Sequence, residues 1–286
     1  MVGEFPDLQG IMGSYYSLND GESNDVSLAI REHYLPSQSG GALPANIVGS
    51  CVALADKIDT LVGLFSIGQP PTGSRDPFAL RRQALGVIRI CIENKISINL
   101  LECLESSAES LKEGYSPLDV QAYILDRLGN WYGESGIDQD VFNAVRYSRA
   151  GITDLLEADH RIRSMQVFRQ HEQSANLIAA NKRVANILKK ADIAADSSPS
   201  VSLFQEVSET SLADNVKSVQ QAFSSGKLDY EDKFLHLAQL QPYVDQYFDD
   251  VMVMTDDEAL KNNRLAALAE LRAIFLEVAD FSLIQT

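Results

Sequence analysis

The sequence predicts an all-α fold, and three features lead to this prediction. Apolar residues recur every three or four positions along most of the chain, which places them on one side of a helix. The alternation of apolar and polar residues that marks a strand is weak. Clusters of proline, glycine and serine separate the helical segments. With 286 residues, 45% of them hydrophobic, the chain can form one large core or two ordinary ones.

Two helix starts are marked especially clearly. Asp76 suits the N-cap position and Pro77 the first helical position, where its missing N–H costs nothing. That helix is predicted to run to about Lys95. Ser116 and Pro117 mark the start of the predicted helix 114–133 in the same way. The further predicted helices cover 22–34, 45–67, 138–149, 151–164, 171–191, 211–224 and 230–240.

The last predicted helix begins at Thr255, because Glu258 follows three residues later and completes a capping box. The segment 195–202 is short and consists mostly of small residues, so it is predicted to be a linker. Helical spacing also predicts which side chains are buried. These are Leu54, Ile58, Leu61, Phe65, Leu80, Ala84, Val87, Cys91, Leu260, Leu268, Leu271, Phe275 and Val278.

The charge distribution leaves two interpretations open. The net charge is −16, and a protein that binds nucleic acid over its whole surface would be basic. Residues 160–190, however, hold seven Lys and Arg against one Glu, whereas 191–286 hold six against seventeen Asp and Glu. A basic segment in an acidic chain is typical of a selective anion site. It is equally typical of an ordinary solvated helix face.

The remaining composition excludes several classes of protein. Cys51, Cys91 and Cys103 form no CxxC pair, which predicts a reducing, cytoplasmic location. The four histidines are scattered and no HExxH motif is present, so no metal site is predicted. No apolar run reaches the ~18 residues of a membrane helix. The first residues are typical of mid-protein sequence, so we expect the chain to begin inside a larger protein.

A pair of carboxylates is the first candidate site. Asp56 and Asp59 stand three apart on one predicted helix, which places both on one face. They could hold a divalent cation or act as acid and base, but no further ligand lies beside them. Pairing with arginine is the more ordinary interpretation. Arg81 projects close to Leu85 and Ile88, so it is expected to be partly buried and to need Asp56 or Asp59 as its partner.

Cations at seven-residue spacing are the second candidate. Such spacing places two side chains on one helix face, where they could meet phosphates. The pairs are Arg82 with Arg89, Lys182 with Lys189, and Arg183 with Lys190. No P-loop, dinucleotide fingerprint or nucleophile elbow is present, and no catalytic centre can be assembled.

Three stretches together resemble the β subunit of the bacterial α2β2 glycyl-tRNA synthetase. They are GEFPDLQGIMGSYY (3–16), the long stretch 52–90 with its core PTGSRDPFALRRQALG, and ANKRVANILKK (180–190) with FDDVMVMTDDEALKNNRLAALAEL at the start of 248–285. The resemblance covers nearly the whole chain and is weakest over 196–245.

The resemblance implies a division of labour between subunits. The α subunit, which uses ATP and Mg²⁺, forms the adenylate and transfers glycine, and the β subunit supplies tRNA binding. Residues 1–108 would form an HD-like helical domain that lacks its N-terminal part. Residues 109–286 would form a helical linker region and an anticodon-binding bundle. The chain alone would have no cofactor and no catalytic activity, and its partners would be glycine tRNA and the α subunit.

One departure concerns metal chemistry. HD phosphohydrolases carry His-Asp on their metal helix, and the matching dipeptide here is Ala55-Asp56. The resemblance therefore implies a structural or vestigial role for Asp56, Asp59 and Arg81. A metal-dependent phosphohydrolase and a helical scaffold for protein docking remain the alternative hypotheses. The expected tRNA-binding residues are Arg82, Arg89, Lys182, Arg183, Lys189, Lys190 and Arg264, with Asn263, Tyr243 and Tyr247 as further candidates.

Overall fold

The computed structural model describes residues 3–72, 75–109, 111, 116–191 and 198–285. Over these residues the regular structure consists of α-helices and short 3₁₀ turns, and the only β pairing is an isolated bridge between Thr72 and Arg75. The all-α prediction is therefore confirmed. Within the described ranges, no helix combines the length and the apolar character that a membrane crossing requires.

The chain divides into two units. Unit 1 comprises Met1–Ser135 with Thr153–Glu157, and unit 2 comprises Gly136–Ile152 with Ala158–Thr286. Unit 1 contains α1 (Ile11–Asn19), α2 (Asn24–Glu32), α3 (Ile47–Ser66), α4 (Leu80–Glu93), α5 (Leu100–Ala108) and α6 (Pro117–Glu134). Because α6 packs against α4 and α5, the boundary predicted after residue 108 falls inside unit 1. The likeness of unit 1 to an HD domain remains a prediction.

Helices α3 and α4 form the centre of unit 1. The predicted stripes of both helices are buried, except that Phe65 is only partly covered. Burying each leucine, isoleucine or valine of these stripes contributes roughly 1.5–3 kcal/mol. Helix α4 begins at Leu80 rather than at Pro77, because Ala79 adopts a left-handed conformation with φ 54°. The Asp76 carboxylate still caps this start, accepting hydrogen bonds from the Leu80 and Arg81 N–H groups at 2.7 and 2.9 Å.

A lysine lies inside this apolar contact. Lys57 on α3 is 1% exposed, and its Nζ donates a hydrogen bond to the His33 carbonyl oxygen at 3.0 Å. Its stem runs against Gly86 of α4, so close that a Cβ added to the glycine would lie 2.7 Å from Lys57 Cε. Burial lowers the pKa of the Lys57 ammonium to about 8; Asp56 raises it and Arg82 lowers it further.

Unit 2 is a bundle around one long, buried helix. Its helices are α7 (Gln139–Arg146), α8 (Leu155–Phe168, which begins in the segment assigned to unit 1), α9 (Ser174–Ala191), α10 (Val207–Ser224), α11 (Tyr230–Ala238), α12 (Gln241–Asp250) and α13 (Glu258–Val278). Helix α13 contacts α9, α10 and α11, and its predicted stripe is buried. This central helix positions the elements that carry the candidate site.

Two details of unit 2 concern the predicted helix start at Thr255 and the predicted linker. Asp257, not Thr255, caps α13, because Asp257 Oδ1 accepts hydrogen bonds from the Ala259 and Leu260 N–H groups at 2.9 and 3.0 Å. The predicted linker 195–202 lies partly outside the described residues. Its described end is anchored, since the Ser200 N–H donates to the Asn263 side chain at 2.6 Å.

Candidate nucleic-acid interface

The basic segment 160–190 separates into a structural part and an accessible part. Arg161 is 1% exposed and donates to the Gly151 carbonyl oxygen. Arg163 pairs with Asp159 at 2.8 Å, and Arg169 pairs with Asp138 and Asp140 at 3.0 and 2.9 Å. Arg161 and Arg169 thus serve the fold, whereas Arg163 is half-exposed and its charge is offset by Asp159. Within this segment, the cations that form no ion pair among the described residues are those of α9.

Helix α9 has one buried side and one cationic side. Leu177, Ile178 and Val184 face the interior, which fixes the rotation of the helix. Lys182 is partly exposed, and Lys189 and Lys190 are exposed in or near the last turn. Lysines in that turn also offset the partial negative charge at a helix C-terminus.

A cleft of about 870 Å³ lies beside the cationic side of α9, and we call it the basic cleft. Its walls are α9, α13, the residues that follow α7, and the C-terminal 3₁₀ turn. It is lined by Tyr147, Arg149, Lys182, Ala185, Asn186, Leu188, Lys189, Ala269, Arg272, Ala273, Leu276, Asp280 and Ser282. All of these residues belong to unit 2.

The carboxylate that lines the basic cleft, Asp280, is already neutralised. Both Asp280 oxygens accept hydrogen bonds from Arg272 Nη2, at 3.2 and 3.1 Å. Asp280 Oδ1 also accepts from the Ser282 N–H at 3.0 Å and from its hydroxyl at 2.6 Å. Arg272 Nη1 reaches the Asn181 side-chain oxygen at 3.3 Å. These contacts fix one wall of the cleft and offset the negative charge of that wall.

Three further cations line the basic cleft without such a partner. Among the residues that the structure describes, no carboxylate forms an ion pair with Arg149, Lys182 or Lys189. Beside them the Tyr147 side chain is largely exposed, and the Arg146 guanidinium lies 5.5 Å from its ring centroid. The cleft therefore combines an excess positive charge with an accessible aromatic ring.

Arg183 lies beside the cleft rather than in it. Its guanidinium carbon is 3.9 Å from the ring centroid of Phe248 on α12, which is a close cation–π contact. The residue remains exposed, so stacking orients the guanidinium without removing it from solvent.

Arg264 is not part of the candidate interface, contrary to the sequence prediction. It is 5% exposed, and its Nε donates to Glu209 Oε1 at 3.1 Å while its Nη1 donates to the Met252 carbonyl oxygen at 3.0 Å. Burial alone would raise the pKa of the Glu209 carboxyl. Backbone N–H donors of Glu206 and Gln205, together with Arg264, instead hold that pKa below its ordinary value.

Two neighbours of Arg264 that were also candidates lie inside the bundle. Tyr247 is fully buried, and its hydroxyl donates to the Arg264 carbonyl oxygen at 3.3 Å. Asn263 is 6% exposed and holds Ser200 through both of its side-chain polar atoms. Neither can stack on or read a base. Tyr243 is only partly exposed.

The predicted arginine pair of α4 is divided between two roles. Arg89 forms a bidentate pair with Glu93, with N–O distances of 2.6 and 3.0 Å, and donates to the Gly41 carbonyl oxygen at 2.9 Å. Arg89 is therefore structural, contrary to the prediction. Arg82 is exposed, and its Nη1 donates to the Ser37 carbonyl oxygen at 3.1 Å. Arg81, Arg82 and Arg89 all line a smaller cleft of about 420 Å³ in unit 1.

The carboxylates of α3 do not form the expected pairs with arginine. In the described part of the chain, neither Asp56 nor Asp59 makes an ion pair, and the nearest polar contact of Asp59 is the Ser107 hydroxyl at 3.5 Å. The backbone N–H of Arg81 donates to the Asp76 carboxylate as part of the cap of α4. Across all the residues that the structure describes, no group of three or more His, Cys, Asp and Glu side chains is placed to hold a metal ion.

Several residues of the basic cleft could not be found from the sequence. Tyr147 and Arg149 follow α7 and Arg272 lies on α13, so no spacing along the chain connects them to Lys182 and Lys189 on α9. The sequence carried only a weak signal for them in YSRAG (147–151), where an aromatic and a basic residue precede the glycine at the junction of two predicted helices.

Two family models match parts of this chain. Residues 177–280 match a family model described as "DALR anticodon binding domain". Unit 2 therefore contains a helical bundle of the DALR anticodon-binding class. Residues 1–147 match a family model described as "Glycyl-tRNA synthetase beta subunit".

Similar curated proteins carry the same description. The glycine–tRNA ligase beta subunits of Marinobacter nauticus, Shewanella denitrificans and Vibrio atlanticus are 46%, 45% and 43% identical to this chain. Each match covers 100% of this chain and 42% of the relative, so the chain spans less than half the length of these proteins. The chain belongs to the glycyl-tRNA synthetase beta subunit family, as the sequence resemblance predicted.

Proposed function

We propose that this chain is the tRNA-binding portion of a glycine-tRNA ligase and that it binds glycine tRNA through the cationic side of α9. The proposal rests on one observation, that Lys182, Lys189 and Lys190 are not neutralised by carboxylates. All three retain free ammonium groups, with no carboxylate partner among the described residues, in a chain whose net charge is −16. Phosphate contacts require positive charge at the contacted face only.

The proposed role extends to the rest of the enzyme. The chain supports aminoacylation of glycine tRNA by the α subunit, which supplies the ATP- and Mg²⁺-dependent chemistry, and the full-length subunits form an α2β2 assembly in the cytoplasm. The chain itself carries no catalytic residues and needs no cofactor. The anticodon-binding class of unit 2 and the names of its relatives support the tRNA-binding role within a glycine-tRNA ligase.

The experiment replaces the three lysines of α9 together. We expect Lys182→Glu/Lys189→Glu/Lys190→Glu to weaken the binding of glycine tRNA by at least about tenfold near physiological salt, because three phosphate contacts become repulsive. Binding is measured by fluorescence anisotropy with labelled tRNA, and circular dichroism verifies that the helices persist.

A matched triple variant makes the same change of charge elsewhere in unit 2. Lys217→Glu/Lys227→Glu/Lys261→Glu reverses three lysines of α10, the loop after it and α13, and is expected to bind nearly as tightly as the parent chain. Equal weakening by both triples would indicate general repulsion and contradict the proposed face. Unchanged affinity of the α9 triple would remove this helix from the interface.

A further inference from the structure

We propose that the basic cleft receives one unstacked nucleotide of a bound RNA, with its base against the apolar wall and its two flanking phosphates on Lys182 and Lys189. This inference rests on the proposed function and deepens it, because it specifies the chemical form of the ligand at that site.

The shape of the basic cleft argues for a flat, compact group. Ala185, Ala269 and Ala273 line it where the two long helices face each other, and their small side chains leave the space open. Leu188 and Leu276 complete the apolar surface. Its volume of about 870 Å³ falls in the range of about 300–1,000 Å³ for clefts that bind small molecules. A single nucleotide fits this description.

The charges argue that the flat group carries anions at its edges. Asp280 is neutralised by Arg272, so the positive charges of Arg149, Lys182 and Lys189 are left in excess. Lys182 and Lys189 are seven residues apart, about 10 Å along the helix axis. Their long side chains can therefore each meet a different phosphate on either side of one nucleotide. A free phosphate ion would make no use of the apolar wall.

Two side chains can contact the base itself. The exposed ring of Tyr147 offers a stacking surface, which is how proteins commonly hold unstacked bases in RNA. The exposed Asn186 amide carries both hydrogen-bond donors and an acceptor and can meet a base edge. Shape, charge, stacking and edge contacts thus occur together in one cleft.

The experiment uses nucleoside 3′,5′-bisphosphates of the four bases as probes, because they carry both flanking phosphates. Binding to the chain is followed by NMR chemical shifts in α9 and α13, with inorganic phosphate as the reference anion. We expect the bisphosphates to shift these signals at concentrations roughly tenfold or more below those of phosphate. Ala273→Trp fills the cleft without changing charge and is expected to abolish this binding.

A pair of substitutions at Tyr147 isolates stacking. Tyr147→Phe keeps the ring and is expected to bind like the parent chain, whereas Tyr147→Ala is expected to weaken binding roughly fivefold or more. Equal shifts with phosphate and bisphosphate, or unchanged binding in Ala273→Trp, would overturn the nucleotide assignment.

Failure of this inference can be told from failure of the proposed function. If Ala273→Trp and Tyr147→Ala bind glycine tRNA like the parent chain while the α9 triple variant does not, the cationic face stands and the nucleotide cleft is wrong. If the α9 triple variant also binds normally, the face itself is wrong.

Discussion

The buried ammonium group of Lys57 makes the stability of the folded chain depend on pH. Lys57 has one hydrogen bond to a carbonyl oxygen and sits in an apolar contact, so its charged form is disfavoured. In the unfolded chain its pKa returns to about 10.5, against about 8 in the fold. Between these values the unfolded chain holds a proton that the folded chain has lost. The contribution of this group to stability therefore rises with pH between about 8 and 10.5.

Lys57→Met removes the titrating group and keeps most of the stem. We expect the free energy of unfolding of the parent chain, relative to this variant, to rise by about 2 kcal/mol between pH 7 and pH 9.5. Urea unfolding of both proteins at the two pH values provides the measurement. Because other groups titrate in both proteins alike, only the difference is informative, and a difference that does not vary with pH would contradict the prediction.

Residue types alone could not assign the cationic side chains. Arg264 and Lys189 both stand on predicted helices, yet the first lies against Glu209 in the core and the second reaches solvent. The deciding fact for Arg264 is a carboxylate on α10, a helix far away in sequence. Lys182 and Lys189 were predictable, because the apolar positions of α9 already fixed which side the lysines occupy.

At the scale of elements, the contact between α3 and α4 depends on a glycine. A Cβ at Gly86 would lie 2.7 Å from Lys57 Cε and 2.8 Å from Cδ. The lysine stem is flexible, but its surroundings are packed, so it cannot easily move aside. We expect Gly86→Ala to destabilise the chain by about 1–3 kcal/mol, as overpacking does, measured by urea unfolding.

The control repeats this change with the lysine shortened. In a Lys57→Ala chain the new methyl group has room, so Gly86→Ala should be neutral or stabilising by up to about 1 kcal/mol, because alanine favours a helix over glycine. Equal destabilisation in both backgrounds would show that the stem is not the obstacle.

Sequence periodicity recovered the long helices and missed three of the short ones. Helices α3, α4, α6, α9 and α13 were predicted because each carries an apolar stripe, and Ser116 with Pro117 starts α6 as expected, the Ser116 hydroxyl accepting from the Leu118 N–H. The missed helices α1, α5 and α12 have nine or ten residues each. Over so few turns the apolar pattern is too brief to distinguish a helix from a loop.

At the scale of the whole molecule, the acidic composition is part of the proposed binding mode. An acidic surface repels RNA except at the few cations that are grouped on α9 and in the basic cleft. Net charge therefore misleads as a guide to nucleic-acid binding when the basic residues are concentrated. The fold class and the family followed from the sequence, whereas the cleft did not, because its walls come from separate parts of unit 2.

Salt dependence tests this concentrated contact. Each phosphate contact contributes a slope of about −0.7 to −0.9 to the logarithm of the binding constant against the logarithm of salt concentration. We expect the slope for glycine tRNA to become shallower by about two in the α9 triple glutamate variant. The matched triple on α10, its loop and α13 should keep the parent slope. If all three proteins gave the same slope, the counterions released on binding would come from phosphate contacts other than those of the α9 lysines, and the proposal would be contradicted.

The close approach of Gly86 to the stem of Lys57 also constrains the routes by which this sequence can diverge. A side chain at position 86 is expected to cost stability unless position 57 has first become smaller, whereas a shorter residue at 57 leaves a void that position 86 can then fill. The two sites are thus expected to be epistatic, with one order of substitutions accessible and the reverse order passing through an unstable intermediate.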